Sequence, residues 1–238
     1  MEIMEIIQDA AMYPINNIKA LVIYAVLMII AILALVFSGV GIFGASETSG
    51  AAAGGLGIIG ILGIIIAIAI FALISGYLLD VIKIAINRED GAPEIEPARQ
   101  IINGIKLLVL SFIYILIPII VMVILSAIND TLGMIIGLIL LLIFCVLLLV
   151  AQCRFAKTES LGEALNFGEV INDIKEIGIV KVIAIIIIVG VIGYLLSLIG
   201  SGIGQISETI GGILTGIIGV YLAFFQNRAY GLLYSDAE

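Results

Sequence analysis

Long apolar runs alternate with short polar intervals along this chain, and the two kinds of stretch predict different structures. A run of about 20 apolar residues crosses a hydrocarbon core of ~30 Å at the rise of an α-helix. Six runs meet that length, predicting membrane-spanning helices over about 18–43, 56–79, 104–128, 132–152, 179–199 and 206–226. Residues 1–17 follow another rule, with Glu2, Glu5 and Asp9 on one side and Ile3, Ile6, Ile7 and Ala10 on the other. That spacing predicts an interfacial amphipathic helix, too short and polar to span, which Tyr13-Pro14 ends.

The longest internal polar interval, Gly76 to Lys106, predicts a helix that leaves the bilayer, stops near Asp90-Gly91 and restarts at Pro97, where proline suits a first turn. Asp80, Lys83, Asn87 and Arg88 share one helical face there; Arg99, Gln100, Asn103 and Lys106 share another. The carboxylates of this interval, Asp80, Glu89, Asp90, Glu94 and Glu96, lie among these bases without metal-ligand spacing and read as a solvated charged face. In the second interval, 154–178, Ser160 to Glu163 reads as a capping box before a further surface helix. Between these intervals lie three short turns, 44–55, 129–131 and 201–204, and the chain ends in a tail, 227–238.

Each polar lead-in delivers a lysine to the mouth of a span: Lys19, Lys106 and Lys181. The pattern predicts a threefold repeat of hairpin blocks, all in one orientation because each block has two spans. All ten Lys and Arg fall on one side, among them Lys83, Arg88, Arg99, Arg154 and Lys157. The positive-inside rule makes that side cytoplasmic, with both termini there. The expected fold is all-α and integral to the membrane: six transmembrane helices in three parallel hairpin blocks, with cytoplasmic amphipathic helices, forming a single domain over 1–238.

Composition agrees, since a chain 63% hydrophobic and 12% charged is far from the balance of a soluble domain. The net charge of −8 offers no footprint for nucleic acid. The chain has no His, the commonest metal ligand. Cys145 and Cys153 stand eight residues apart on one predicted helix, about 12 Å and beyond disulfide reach, so both read as packing residues. Acids replace the basic start of a signal peptide, so the first helix is expected to be retained.

The span interiors carry no ionisable residue, whereas ion-driven transporters usually hold some there. No catalytic, cofactor or metal residue is predicted. Gly57, Gly60 and Gly63, and likewise Gly212, Gly216 and Gly219, form stripes that admit close helix packing. Pro118, inside the third span, predicts a kink.

Tyr13-Pro14, Ser75-Gly76-Tyr77-Leu78-Leu79 before Pro93, Asn103-Gly104-Ile105-Lys106, Ala164 to Phe167 and Tyr230 to Tyr234 together resemble the archaeal membrane family of domain of unknown function 4013. The resemblance implies a six-helix membrane protein of an archaeon and transfers no catalytic residue. The sequence therefore predicts a non-enzymatic protein of the cell membrane, membrane-organising or a self-associating subunit, with lipids, its own copies or other membrane proteins as partners. The alternative is a permease for an apolar or lipid-like substrate.

Overall fold

A computed structural model describes residues 1–205 and 207–237. Among them every regular element is helical. In chain order these are α1 (Ile3–Asn16), α2 (Ile18–Glu47), α3 (Ala51–Ile86), α4 (Pro97–Ser126), α5 (Asp130–Thr158), α6 (Leu161–Ala164), α7 (Phe167–Ile177), α8 (Ile179–Gly204) and α9 (Glu208–Tyr234). Six of them (α2, α3, α4, α5, α8 and α9) are long and apolar enough to cross a membrane, making this a multi-pass membrane protein. The expected start of the sixth span, Ile206, lies outside the described residues.

The helices run further than the hydropathy pattern predicts. Most of the expected turn 44–55 is helical, leaving only Thr48 to Gly50 between α2 and α3, with Gly50 in the left-handed region at φ 71°. Likewise α8 continues through Ser201 to Gly204. In a bilayer the backbone has no water to bond, so a small-residue stretch gains by staying helical. Asn129 caps α5, accepting from Leu132 N at 3.0 Å.

Pro14 does not end α1. It sits in the last helical turn, where its fixed φ suits a helix, and the stop comes at Asn17. There the backbone and side-chain nitrogens of Asn17 both donate to Tyr13 O. α4 runs unbroken through Pro118, which is buried. It also starts at Pro97 and enters the span directly, so the surface segment and the third span form one helix. Lead-in helices separated from their spans by one residue stand before α2 and α8, at Asn17 and Gly178.

Three hairpins result, α2/α3, α4/α5 and α8/α9, and they meet chiefly at one end. α3 is the hub, packing on α2, α4, α5 and α9, while α8 touches mainly α9 and the short helices α1 and α7. A Cβ on Gly76 would run into Gln100 O, and one on Gly104 into Ala72 O, so α3 and α4 cross in backbone contact. Gly231 of α9 meets Ile82 and Ala85 of α3 in the same way. The main core holds Ile6, Ile82, Phe155, Val170, Phe225 and Leu232, drawn from five helices and lying near the polar intervals. The apolar faces of α1 and of residues 81–86 are therefore buried in protein. Towards the opposite end the helices pack as pairs and expose Ile, Leu and Phe, as at Phe43, Ile61 and Ile128.

Candidate functional site

The bases that the sequence assigns to one side come together at one end of the bundle, and most of them bridge elements. Arg228, within the expected tail, lies on α9 and is 1% exposed. Its Nε donates to Asp9 Oδ1 of α1 at 2.7 Å, and Nη2 to Asp90 Oδ1 at 3.3 Å. Nη1 donates to Glu89 O, and the guanidinium carbon stands 4.7 Å from the centroid of the Tyr13 ring. A buried guanidinium needs all its N–H groups satisfied, and α1 with the segment after α3 supplies that.

Arg154 plays a similar part for the second interval. It donates to both oxygens of Asp173 at 3.0 Å and reaches Glu163 at 2.9 Å and Glu169 at 3.3 Å. Tyr234 Oη donates to Asp173 from α9 at 2.7 Å. One arginine thus fastens α5 to α6 and α7, and α9 closes on the same carboxylate. Lys157 and Lys175 line the polar cavity beside it, about 480 Å³ in volume.

Glu89, Asp90, Glu94 and Glu96 are exposed, as a solvated face requires, and Asp80 alone of these carboxylates departs from it. Asp80 is buried and accepts Arg99 through both oxygens, at 2.9 and 3.0 Å, and Gln100 Nε2 at 2.8 Å. The helix spacing puts Asp80 on the face that meets α4, where it lines a cavity of about 400 Å³ with Lys83, Arg99 and Glu159.

Lys83 binds Glu159 at 2.7 Å. That bond first, and then the fields of Lys83, Arg99 and Lys106, outweigh partial burial and hold the Glu159 carboxyl below its ordinary value. Asp236 receives Lys181, Arg88 and the N-terminal ammonium. Burial alone would raise its carboxyl, but bonds from Lys181 and the ammonium lower it. Burial pushes the Tyr13 phenol well above its usual value, so it stays protonated and donates to Gly91 O at 3.1 Å.

Among the described residues two that are not glycine take left-handed backbone angles, Arg88 at φ 59° and Glu159 at φ 53°. Each ends a long helix, and each has its side chain in an ion pair on another element. The cross-element bonds offset the strain that glycine would avoid.

A cavity of about 250 Å³ opens between α2, α3 and the segment 92–95, with Lys19 among its lining residues. The glycine stripes have separate fates. Gly60 and Gly63 face α2, where added Cβ atoms would meet Ile42 and Ser38, and Gly57 looks towards Ala45. Gly212, Gly216 and Gly219 meet nothing within 4 Å. Cys145 is exposed on α5 and Cys153 is buried, its Sγ 3.5 Å from Tyr230 O.

The sequence model of the family described as "Protein of unknown function (DUF4013)" matches residues 61–205, more than half of the chain. This chain belongs to that family. Comparison with curated proteins and with solved structures returned no match. The DUF4013 match runs from α3 to the end of α8 and contains both polar intervals, with Asp80, Arg99, Arg154 and Asp173 inside it. α1, α2 and α9, which bring Asp9, Lys19 and Arg228, lie outside it.

Sequence reasoning missed Arg228, Asp9, Gln100, Asp173 and Tyr234 as structural partners. One signal was available for Arg228: a lone base beside Phe224, Phe225, Leu232 and Leu233 is a poor composition for a loose tail.

Proposed function

We propose that this DUF4013 protein is a non-enzymatic scaffold of the cell membrane, presenting a preformed helical platform on the cytoplasmic side and associating with its own copies. The observation carrying this reading is the commitment of charge. Asp80, Asp173, Glu159 and Asp236 are each bound to a base from another segment of the fold, so carboxylates that could serve acid–base chemistry are spent on structure. The positive-inside rule assigns the end holding these bases to the cytoplasm. The open Gly212, Gly216 and Gly219 face of α9 supports self-association, since close helix approach in lipid needs small residues left unoccupied.

Native mass spectrometry of protein released from nanodiscs tests association. Dimers or larger assemblies are expected, and Gly216→Leu shifts them towards monomer; monomers at every concentration would defeat the reading. Orientation is tested separately with Lys175→Cys in a Cys145→Ser/Cys153→Ala background, which an impermeant maleimide labels only from the cytoplasmic side. A permease for a lipid-like substrate is favoured by one feature, the apolar cavity between α2 and α3. It requires lipid movement in proteoliposomes, measured as loss of leaflet asymmetry of a labelled lipid.

A further inference from the structure

The cavity between α2 and α3 has a composition that fits one kind of occupant. Along α2 its wall runs from Lys19 to Leu27, eight residues or about 12 Å of helix, and is apolar below the lysine. Ile74 and Tyr77 of α3 face it across the gap, and Pro93 belongs to the segment that closes the polar end. The closing segment is braced, because Tyr13 donates to Gly91 O at 3.1 Å, Asn17 to Asp90 O at 3.4 Å, and Gln100 to Glu94 O at 2.9 Å.

Two polar groups at this cavity have no protein partner among the described residues. Lys19 is exposed at its polar end and makes no ion pair among the described residues, unlike Lys83, Arg88, Arg99, Arg154, Lys181 and Arg228. Tyr77 is 8% exposed and lines the cavity, and no hydrogen bond of its hydroxyl is found among the described residues. Its neighbour Tyr24, equally deep, spends its hydroxyl on Ile74 O at 3.3 Å. The Tyr77 hydroxyl is not sealed in the core, and from the cavity wall it is placed to donate to something that enters.

We infer that this cavity is a binding site for one anionic membrane phospholipid. A hydrocarbon chain lies along the apolar wall between α2 and α3, the headgroup phosphate pairs with Lys19 at the level of the interface, and the Tyr77 hydroxyl donates to an oxygen of the lipid backbone. Lysine serves as a compact cation for phosphate, and the volume suits part of one chain and excludes a whole lipid. The site does not rest on the scaffold reading, since neither self-association nor orientation enters into it.

The test uses the full-length protein in detergent micelles, titrated with phosphatidylglycerol or phosphatidylcholine of identical chains and read by native mass spectrometry. The wild type is expected to retain one phosphatidylglycerol with at least fivefold preference over phosphatidylcholine. Lys19→Gln brings the two lipids to near parity. Ala20→Phe, which fills the cavity from α2, loses both. Lys175→Gln removes another exposed lysine that has no ion pair among the described residues, and it leaves the preference intact. Equal retention of both lipids by the wild type, an unchanged preference in Lys19→Gln, or the same loss in Lys175→Gln would each overturn the site. Lys19 is exposed, so its substitution leaves the core untouched and decides the matter even where Ala20→Phe does not fold.

Discussion

The two ends of this bundle solve different problems with the same helices. At the polar end, α1, α3, α4, α5, α7 and α9 converge, Arg228 and Asp80 are buried and Arg154 is partly buried, each with bonded partners. At the opposite end the helices pack in pairs, and Phe43, Ile58, Ile128 and Ile213 stand exposed. Lipid accepts that second surface without cost, because hydrocarbon neighbours serve an isoleucine as well as a core does. Near water, by contrast, exposed apolar faces are unfavourable; the chain buries them by folding its polar intervals into a cap, and the charges buried with them are paired. The fold's specificity therefore resides at the polar end.

If so, substitutions at the two ends differ sharply. The largest effect is expected at Arg228. Arg228→Met leaves Asp9 and Glu89 O without their donor and costs about 3 kcal/mol, the order found when one member of a buried ion pair is removed. Thermal unfolding in detergent measures it. Gly76→Leu comes next, because its side chain collides with the backbone of α4 and separates α3 from α4; a loss of about 2–3 kcal/mol is expected. At the other end Gly212→Ala, which meets nothing within 4 Å, changes stability by less than about 0.5 kcal/mol. Equal losses at Gly76 and Gly212 would erase the distinction between the ends.

A gentler probe is acid. Glu159 and Asp236 titrate below their ordinary values in the folded protein, so the unfolded chain binds protons first as pH falls. Their stabilisation is complete above the ordinary carboxylate range and is lost as pH drops through the lowered values, below about pH 4. Unfolding temperatures measured from pH 7 to pH 3 should fall at the acid end, and Glu159→Gln should flatten that fall.

How legible this was depends on the kind of signal. The six spans follow from run length, which the bilayer enforces residue by residue, and the Ser160 cap follows from local hydrogen bonding. Helix ends were misjudged at 44–55 and 201–204 because glycine and serine read as turns in water, whereas an apolar setting keeps them helical. The interior of the polar end was invisible for a different reason. Whether Asp80 faces solvent or Arg99 depends on a helix crossing set by Gly76 and Gly104, residues that carry no charge pattern. Arg228 depends on partners 138 and 219 positions away in sequence, a pairing no local pattern can express. At the cavity, Lys19 was read as a topology marker, and its place beside Tyr77 emerges only when α2 and α3 are packed.

The account stands most directly on the polar end being a preformed, internally bonded cap. Hydrogen–deuterium exchange of the full-length protein in lipid nanodiscs tests this at the amides of Asn87, Arg88, Glu89 and Glu96, at the two ends of a segment whose carbonyls are held by Tyr13, Asn17, Gln100 and Arg228. These amides donate to Lys83 O, Ala85 O, Ile84 O and Gln100 Oε1. Slow exchange is expected there in the wild type, with clear acceleration in Arg228→Met and no change in the α2/α3 turn at 48–50. Exchange at these four amides as fast as in an unstructured peptide, or insensitive to Arg228→Met, would contradict it.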